Sequence, residues 1–152
     1  MTSQRLQNDA LARILHNSLY QRLLLFCQQY TPELPAESIV AMWMSRLFQG
    51  DPNLHILVTL DDNYKITGHA VIDIQEAYGC RVVFCHQAQG DKNNTGTVDE
   101  GVEYVDKLVE QIQADSSCFV VTKHIRSLEK KYGYKVARTM MIKQRGDNND
   151  TD

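Results

Sequence analysis

Apolar residues recur every three or four positions between Leu6 and Tyr30, at Leu11, Ile14, Leu15, Leu19, Leu23, Phe26 and Cys27. That spacing aligns them along one stripe of a helix. Thr31-Pro32-Glu33-Leu34-Pro35 interrupts the pattern, because proline has no amide hydrogen and restricts the residue before it. Ile39, Val40, Trp43, Met44, Leu47 and Phe48 resume it, predicting a second helix from near Ala36 to the stop signal Gly50-Asp51-Pro52. Trp43 on this face reads as a core residue.

The period then shortens. His55 to Leu60 and Lys65 to Ile74 are rich in β-branched residues and flank Asp61-Asp62-Asn63-Tyr64, which reads as a hairpin turn. Gly68 inside the second strand predicts a bulge or a close backbone approach. Tyr78-Gly79 is a second turn, leading into a third strand from Arg81 to Gln87. A polar loop from Gln89 to Thr97 follows. Thr97-Val98-Asp99-Glu100 fits a capping box, and Val98, Val102, Val105, Val109 and Ile112 continue it as an amphipathic helix. Cys118 to Thr122 predicts a buried strand, His124 to Tyr132 a short helix, and Lys135 to Lys143 a last strand.

Two helices, an antiparallel three-stranded meander, then helix, strand, helix and strand define an α+β fold around one mixed sheet. The strand–helix–strand crossover favours a parallel neighbour. With 152 residues, 43% of them hydrophobic and 23% charged, the chain fits one compact domain over residues 1–144. Residues 145–152 are polar and are expected to lack fixed structure. The Arg145-Gly146-Asp147 triplet within them is a string short enough to arise by chance.

Charge narrows the possible partners. A net charge of −3 and a pI near 5.9 leave no clustered Lys and Arg to displace counterions from phosphates, which argues against nucleic acid. No apolar run approaches the roughly 20 residues needed to cross a bilayer, and no apolar segment follows Met1-Thr2-Ser3-Gln4-Arg5, so a cytoplasmic protein without membrane partners is expected. Cys27, Cys80, Cys85 and Cys118 form no C-x-x-C pair and read as buried, reduced thiols. His16, His55, His69, His86 and His124 lack metal-ligand spacing, so no structural metal is expected.

A strand that ends in a loop and feeds a helix creates an anion site, since the first helical amides have no internal partners and the dipole is positive there. Gly90 and Gly96 would let backbone approach a phosphate, and Lys92, Thr95 and Thr97 would add donors. Asp91 opposes this, and an ordinary solvated connection is the alternative.

Gln87-Ala88-Gln89-Gly90-Asp91-Lys92 resembles the Q/R-x-x-G-x-G/A loop with which the GNAT superfamily of N-acetyltransferases holds the pyrophosphate of acetyl-CoA. It matches at Gln87 and Gly90 and departs at the last position. Lys123 to Tyr134, with its Lys131-Tyr132-Gly133-Tyr134 ending, is similar to the last helix of that family, in a variant seen in GNAT-like proteins of tailed bacteriophages. The resemblance covers about His55 to Lys143, with the two N-terminal helices as the family's first helical pair. No strand is evident before the first helix.

The resemblance implies acetyl-CoA as cosubstrate, with Gln87, Ala88, Gln89, Gly90, Lys92, Thr95, Gly96 and Thr97 at its binding site and the strand edge from His86 to Ala88 along the pantetheine. It also implies a general base, for which His86 and Glu76 are candidates, and a tyrosine acid. The family's tyrosine position falls on Glu129, with Tyr132 nearby. His86 could instead be a strand histidine with a hydrogen-bonded partner, and Glu76 a carboxylate exposed near a turn. Two functions follow from these residues. One is transfer of an acetyl group from acetyl-CoA to a primary amine; the other is a catalytically inactive GNAT-like phage protein, acting as a virion component or binding a host protein.

Overall fold

The computed structural model describes residues 3–77, 79–91, 96–120 and 125–136. Its elements run β1 (Gln4–Arg5), α1 (Ala10–Tyr30), α2 (Ala36–Phe48), β2 (Leu54–Leu60), β3 (Ile66–Ala77), β4 (Cys80–Gly90), α3 (Thr97–Ile112), β5 (Ser116–Phe119) and α4 (Ile125–Tyr132). The five strands form one sheet in the order β1-β2-β3-β4-β5, antiparallel except for the parallel β4–β5 pair. The expected mixed α+β sheet is therefore present, with α1 and α2 on one face and α3 on the other.

Each face buries its own apolar cluster. Leu15, Leu19 and Leu23 of α1 meet Val40 and Leu47 of α2 over Ile56, Val58 and Val71 of the sheet. Val105 and Leu108 of α3 pack on Ala70, Ile72, Val83 and Cys85 from the opposite side. Burying each such Leu, Ile or Val side chain contributes about 1.5–3 kcal/mol. Among the described residues, no helix is long and apolar enough to cross a membrane.

Several expectations need correction. A strand does precede the first helix: β1 pairs with β2 through Gln4↔Val58 and Arg5↔Leu57, and the Leu6 amide donates to the Ile56 carbonyl. Leu6 thus belongs to the sheet side of the core. The helix starts at Ala10, where the Asp9 carboxylate caps the Ala12 amide at 3.1 Å.

At α3 the capping box does not form. Gly96 is the N-cap, Thr97 Oγ1 has no hydrogen-bond partner among the described residues, and Glu100 turns away to accept from the amide and hydroxyl of Ser3. Thr97 is held instead over Gly68 of β3. A methyl group at Gly68 would stand 2.5 Å from Thr97 Oγ1 and 2.6 Å from Thr59 Oγ1, so the absence of a side chain there lets the start of α3 settle on the sheet. This is the close approach that Gly68 signals in the sequence.

β4 also runs further than its sequence indicates. Gln89 and Gly90 are strand residues paired with His69 and Gly68, not part of a loop. The two-against-one count at Val71↔Gln87 and Ile72↔Cys85 makes His86 the bulged residue of β4. Of the cysteines, Cys27 and Cys85 are buried, Cys118 is partly so, and Cys80 is exposed at the β3–β4 turn, so not every thiol is interior. Lys135 and Val136 lie in no regular element. Tyr78, most of the proposed last strand (137–143) and the tail 145–152 lie outside the described residues.

Candidate functional site

The bulge determines the chemistry of the sheet face beneath α1 and α2. Strand side chains normally alternate between faces. Because His86 is an extra residue, Phe84, His86 and Gln87 all face the helical pair, while Cys85 and Ala88 face α3. Asp73 and Gln75 of β3 share this face. Over them lies a cleft of about 220 Å³, roofed by the end of α1, the α1–α2 connection and α2.

Asp73 is the anionic centre of the cleft. Arg46, in the last turn of α2, grips it with two hydrogen bonds, Nη2 to Oδ1 at 2.8 Å and Nη1 to Oδ2 at 3.1 Å, and directs Nε to Asp51 at 2.7 Å. Gln75 Nε2 donates to Asp73 Oδ2 at 2.8 Å. Burial alone would raise the Asp73 carboxyl, but the contacts from His86, Arg46 and Gln75 outweigh it and hold the group well below the usual carboxylate range. Asp73 is therefore ionised, and it shares the Arg46 guanidinium with Asp51.

His86 sits beside this pair. Its ring stacks on Phe84 with centroids 5.9 Å apart and an interplanar angle of 12°, and it meets Trp43 at 5.5 Å. Nε2 lies 3.7 Å from Asp73 Oδ2, beyond hydrogen-bond length, and has no hydrogen-bond partner among the described residues. The His86 ring lines the cleft while Nε2 itself is buried on the Asp73 side, so the imidazole stands between the cleft and the carboxylate. Trp43 is a core residue, as expected, and it also lines the cleft.

Gln87 divides its side chain and its backbone between two surroundings. Its side chain is buried and points to α1, accepting from His69 and donating to the Leu23 carbonyl at 3.3 Å and Cys27 Sγ at 3.1 Å. Its backbone stays on the β4 edge that faces β5. Pairing of β4 with β5 spans Val82↔Ser116 to Cys85↔Phe119, followed by the Val120 amide donating to the Cys85 carbonyl at 3.0 Å. From Gln87 to Gly90, β4 pairs with β3 alone among the described residues.

The start of α3 lies beyond that edge. Among the described residues no side chain caps it, which leaves its first amides available to an anion. The acidic groups around it are engaged elsewhere: Asp91 by Arg22 at 3.0 Å, Asp99 by Lys131 at 2.8 Å, and Glu100 by Ser3. The objection raised by Asp91 is thus met by a neutralising arginine. Gly96 and Thr97 are at this helix start, Thr97 buried; Lys92 and Thr95 lie outside the described residues.

The other two catalytic candidates are elsewhere. Glu76 is exposed and pairs loosely with Arg81 at 3.5 Å, near the β3–β4 turn and outside the cleft lining. Tyr132 ends α4, its hydroxyl buried without a hydrogen-bond partner among the described residues, and it does not line the cleft. Glu129 is exposed. Sequence reasoning missed Asp73 and Arg46. The signal was available: a lone carboxylate within Val71-Ile72-Asp73-Ile74 must find a cation if that strand is buried.

No protein-family model and no curated protein matches the chain. Solved structures do. A predicted acetyltransferase from Clostridium acetobutylicum, solved with acetyl-CoA, superposes with a TM-score of 0.67 at 14% identity, over 94% of this chain and 95% of that one. A Trypanosoma brucei acetyltransferase gives 0.64 at 15% identity over 93% and 98%. An aminoglycoside acetyltransferase from an uncultured soil sample, in complex with sisomicin, gives 0.58 at 15% identity over 94% and 93%. The chain shares the GNAT-like α+β fold of these structures.

Proposed function

We propose that the protein is an acyl-CoA-dependent N-acyltransferase that moves an acetyl group from acetyl-CoA to a primary amine. The observation that carries this reading is the β4 bulge. It sets His86, beside Asp73, in a cleft just past Cys85↔Phe119, the last β4–β5 pair among the described residues.

The residues at hand suit the cosubstrate. The edge of β4 from Gln87 to Gly90, which pairs with β3 alone among the described residues, offers backbone groups to the amides of pantetheine, and the start of α3 at Gly96 and Thr97 offers amides to the pyrophosphate. Lys92 and Thr95 are proposed as further donors there.

An acceptor entering the cleft as an ammonium ion gives one proton to the His86 imidazole, whose Nε2 is buried beside Asp73, and Asp73 steadies the resulting imidazolium. The free amine nitrogen attacks the thioester carbonyl, forming a C–N bond. The C–S bond breaks, the thiolate leaves, and the second amine proton restores the thiol. With Glu129 exposed in place of the family's tyrosine, the thiolate takes that proton from the amine or through water. Glu76 and Tyr132 have no part in these steps. Nothing in the cycle requires a membrane or nucleic acid, which agrees with a cytoplasmic protein.

The test is calorimetric titration of acetyl-CoA together with thiol release in the presence of primary amines. His86→Ala should still bind acetyl-CoA while kcat falls by roughly 10²–10⁴-fold, the usual contribution of a general base. Absence of acetyl-CoA binding would overturn the reading. Binding without turnover on any amine would favour the non-enzymatic alternative, a GNAT-like adaptor for a phage or host protein.

A further inference from the structure

The cleft over the bulge has walls of two kinds. Its floor, from β3 and β4, is polar: Asp73, Gln75, His86 and Gln87. Its roof is apolar, built by Phe26 of α1, Leu34 of the α1–α2 connection, and Ile39, Met42 and Trp43 of α2. At the mouth, Met42 is 49% exposed and Val120 43% exposed, large apolar side chains left open to solvent beside the entrance. Exposed apolar groups that continue into an apolar wall mark a surface that a ligand covers.

Charge points the same way. Asp73 is the sole carboxylate among the described lining residues, and Arg46 already grips it with two hydrogen bonds. A polycation would meet no further anion among the described lining residues and would lose hydration against the roof, a cost of several kcal/mol for each unpaired charge. At about 220 Å³ the cleft is also smaller than the roughly 300–1,000 Å³ typical of sites for drug-sized ligands.

Resting on the acyltransferase reading, we infer that the acceptor is a small monoamine carried on a compact apolar body, such as a single aromatic ring or a branched aliphatic chain. The apolar body lies under Ile39, Met42 and Trp43, and the amino group reaches down to His86. Trp43 also favours the entering ammonium, since a cation near an indole face is attracted by the ring.

Trp43 supplies a readout independent of turnover, being the chain's single tryptophan. With acetyl-CoA present, titration with 2-phenylethylamine or isoamylamine should change its fluorescence saturably. Spermidine and sisomicin should not, at tenfold higher concentration. In thiol release, kcat/KM for 2-phenylethylamine should exceed that for spermidine at least tenfold. Met42→Glu, at a half-exposed position, should reverse that order by weakening the apolar amine and admitting the polyamine. Tighter binding or faster turnover of spermidine or sisomicin by the wild-type protein would overturn the inference and leave the acyltransferase reading standing. Saturable quenching by 2-phenylethylamine without any acetyl-CoA binding would support the apolar site and overturn the acyltransferase reading instead.

Discussion

His69 Nε2 donates to Gln87 Oε1 across 2.9 Å, while Nδ1 of the same ring accepts from Arg22 Nε at 2.8 Å. One nitrogen gives a proton and the other receives one, so the ring is neutral and in a single tautomer. Burial, reinforced by the positive charge of Arg22, pushes the His69 pKa down to about 3. In the unfolded chain the value returns to the ordinary 6.5. Below that pH the unfolded state binds a proton that the native state refuses.

The stability contributed by this neutral ring is therefore complete above pH 6.5 and is lost as pH falls toward 3. Between pH 7 and pH 5 the expected loss is about 2 kcal/mol, from 1.36 kcal/mol per unit below the unfolded value. His55, whose pKa is lowered by burial and by Arg5, adds to the loss in the same direction. Urea melts at the two pH values measure it, and His69→Gln should flatten the slope. An unchanged slope in that variant would assign the acid sensitivity to other groups.

Arg22→Lys should fail to rescue Arg22→Ala. The guanidinium reaches His69 Nδ1, the Ile66 carbonyl at 3.3 Å, the Gln89 carbonyl at 3.5 Å and Asp91 at 3.0 Å, a spread that one ammonium cannot span. Each variant should lose roughly 2–4 kcal/mol by denaturant titration, as buried acceptors go unpaired.

Gly68→Ala should cost about 1–3 kcal/mol, the range for overpacking, because the new methyl group meets Thr97 and Thr59 below van der Waals distance. On the proposed reading, lifting the start of α3 should also raise the KM for acetyl-CoA. Thr97→Ala placed on top should recover part of the stability, a coupling above about 0.5 kcal/mol in a double-mutant cycle.

Asp73→Asn keeps the shape of the side chain and removes its charge. Arg46 then retains only Asp51 as an anionic partner, and stability should fall by about 3 kcal/mol, the lower end for breaking a buried pair. On the proposed reading, kcat should fall with it while acetyl-CoA affinity in calorimetry stays within a few-fold. A loss of acetyl-CoA binding equal to the loss of kcat would make Asp73 a structural residue only.

The meander was legible in the sequence because β2 and β3 carry β-branched runs between turn residues, and Gly68 announced its own contact. The helical pair was legible from its spacing. What escaped depends on distant partners. Gln4–Arg5 is too short to show any period and becomes a strand only because β2 offers it an edge. Gln89 and Gly90 read as the start of a polar loop, yet β3 supplies their pairing and Arg22 of α1 reaches the Gln89 carbonyl. The proposed anion site at the start of α3 was inferred from element order. Its neutralised carboxylates depend on contacts from α1, α4 and the start of the chain.

The strand order, identical to the order along the chain, also governs how the molecule assembles. β2, β3 and β4 can zip through two tight turns, and β5 joins after one helix. β1 must wait until α1 and α2 have formed, because closing the loop from Arg5 to Leu57 carries the largest entropy cost among these pairings. The last strand to dock, holding only two residues of ladder, is the first to open. Its amides should exchange with solvent ahead of the rest of the sheet, and each opening frees Glu100 from Ser3 at the first turn of α3.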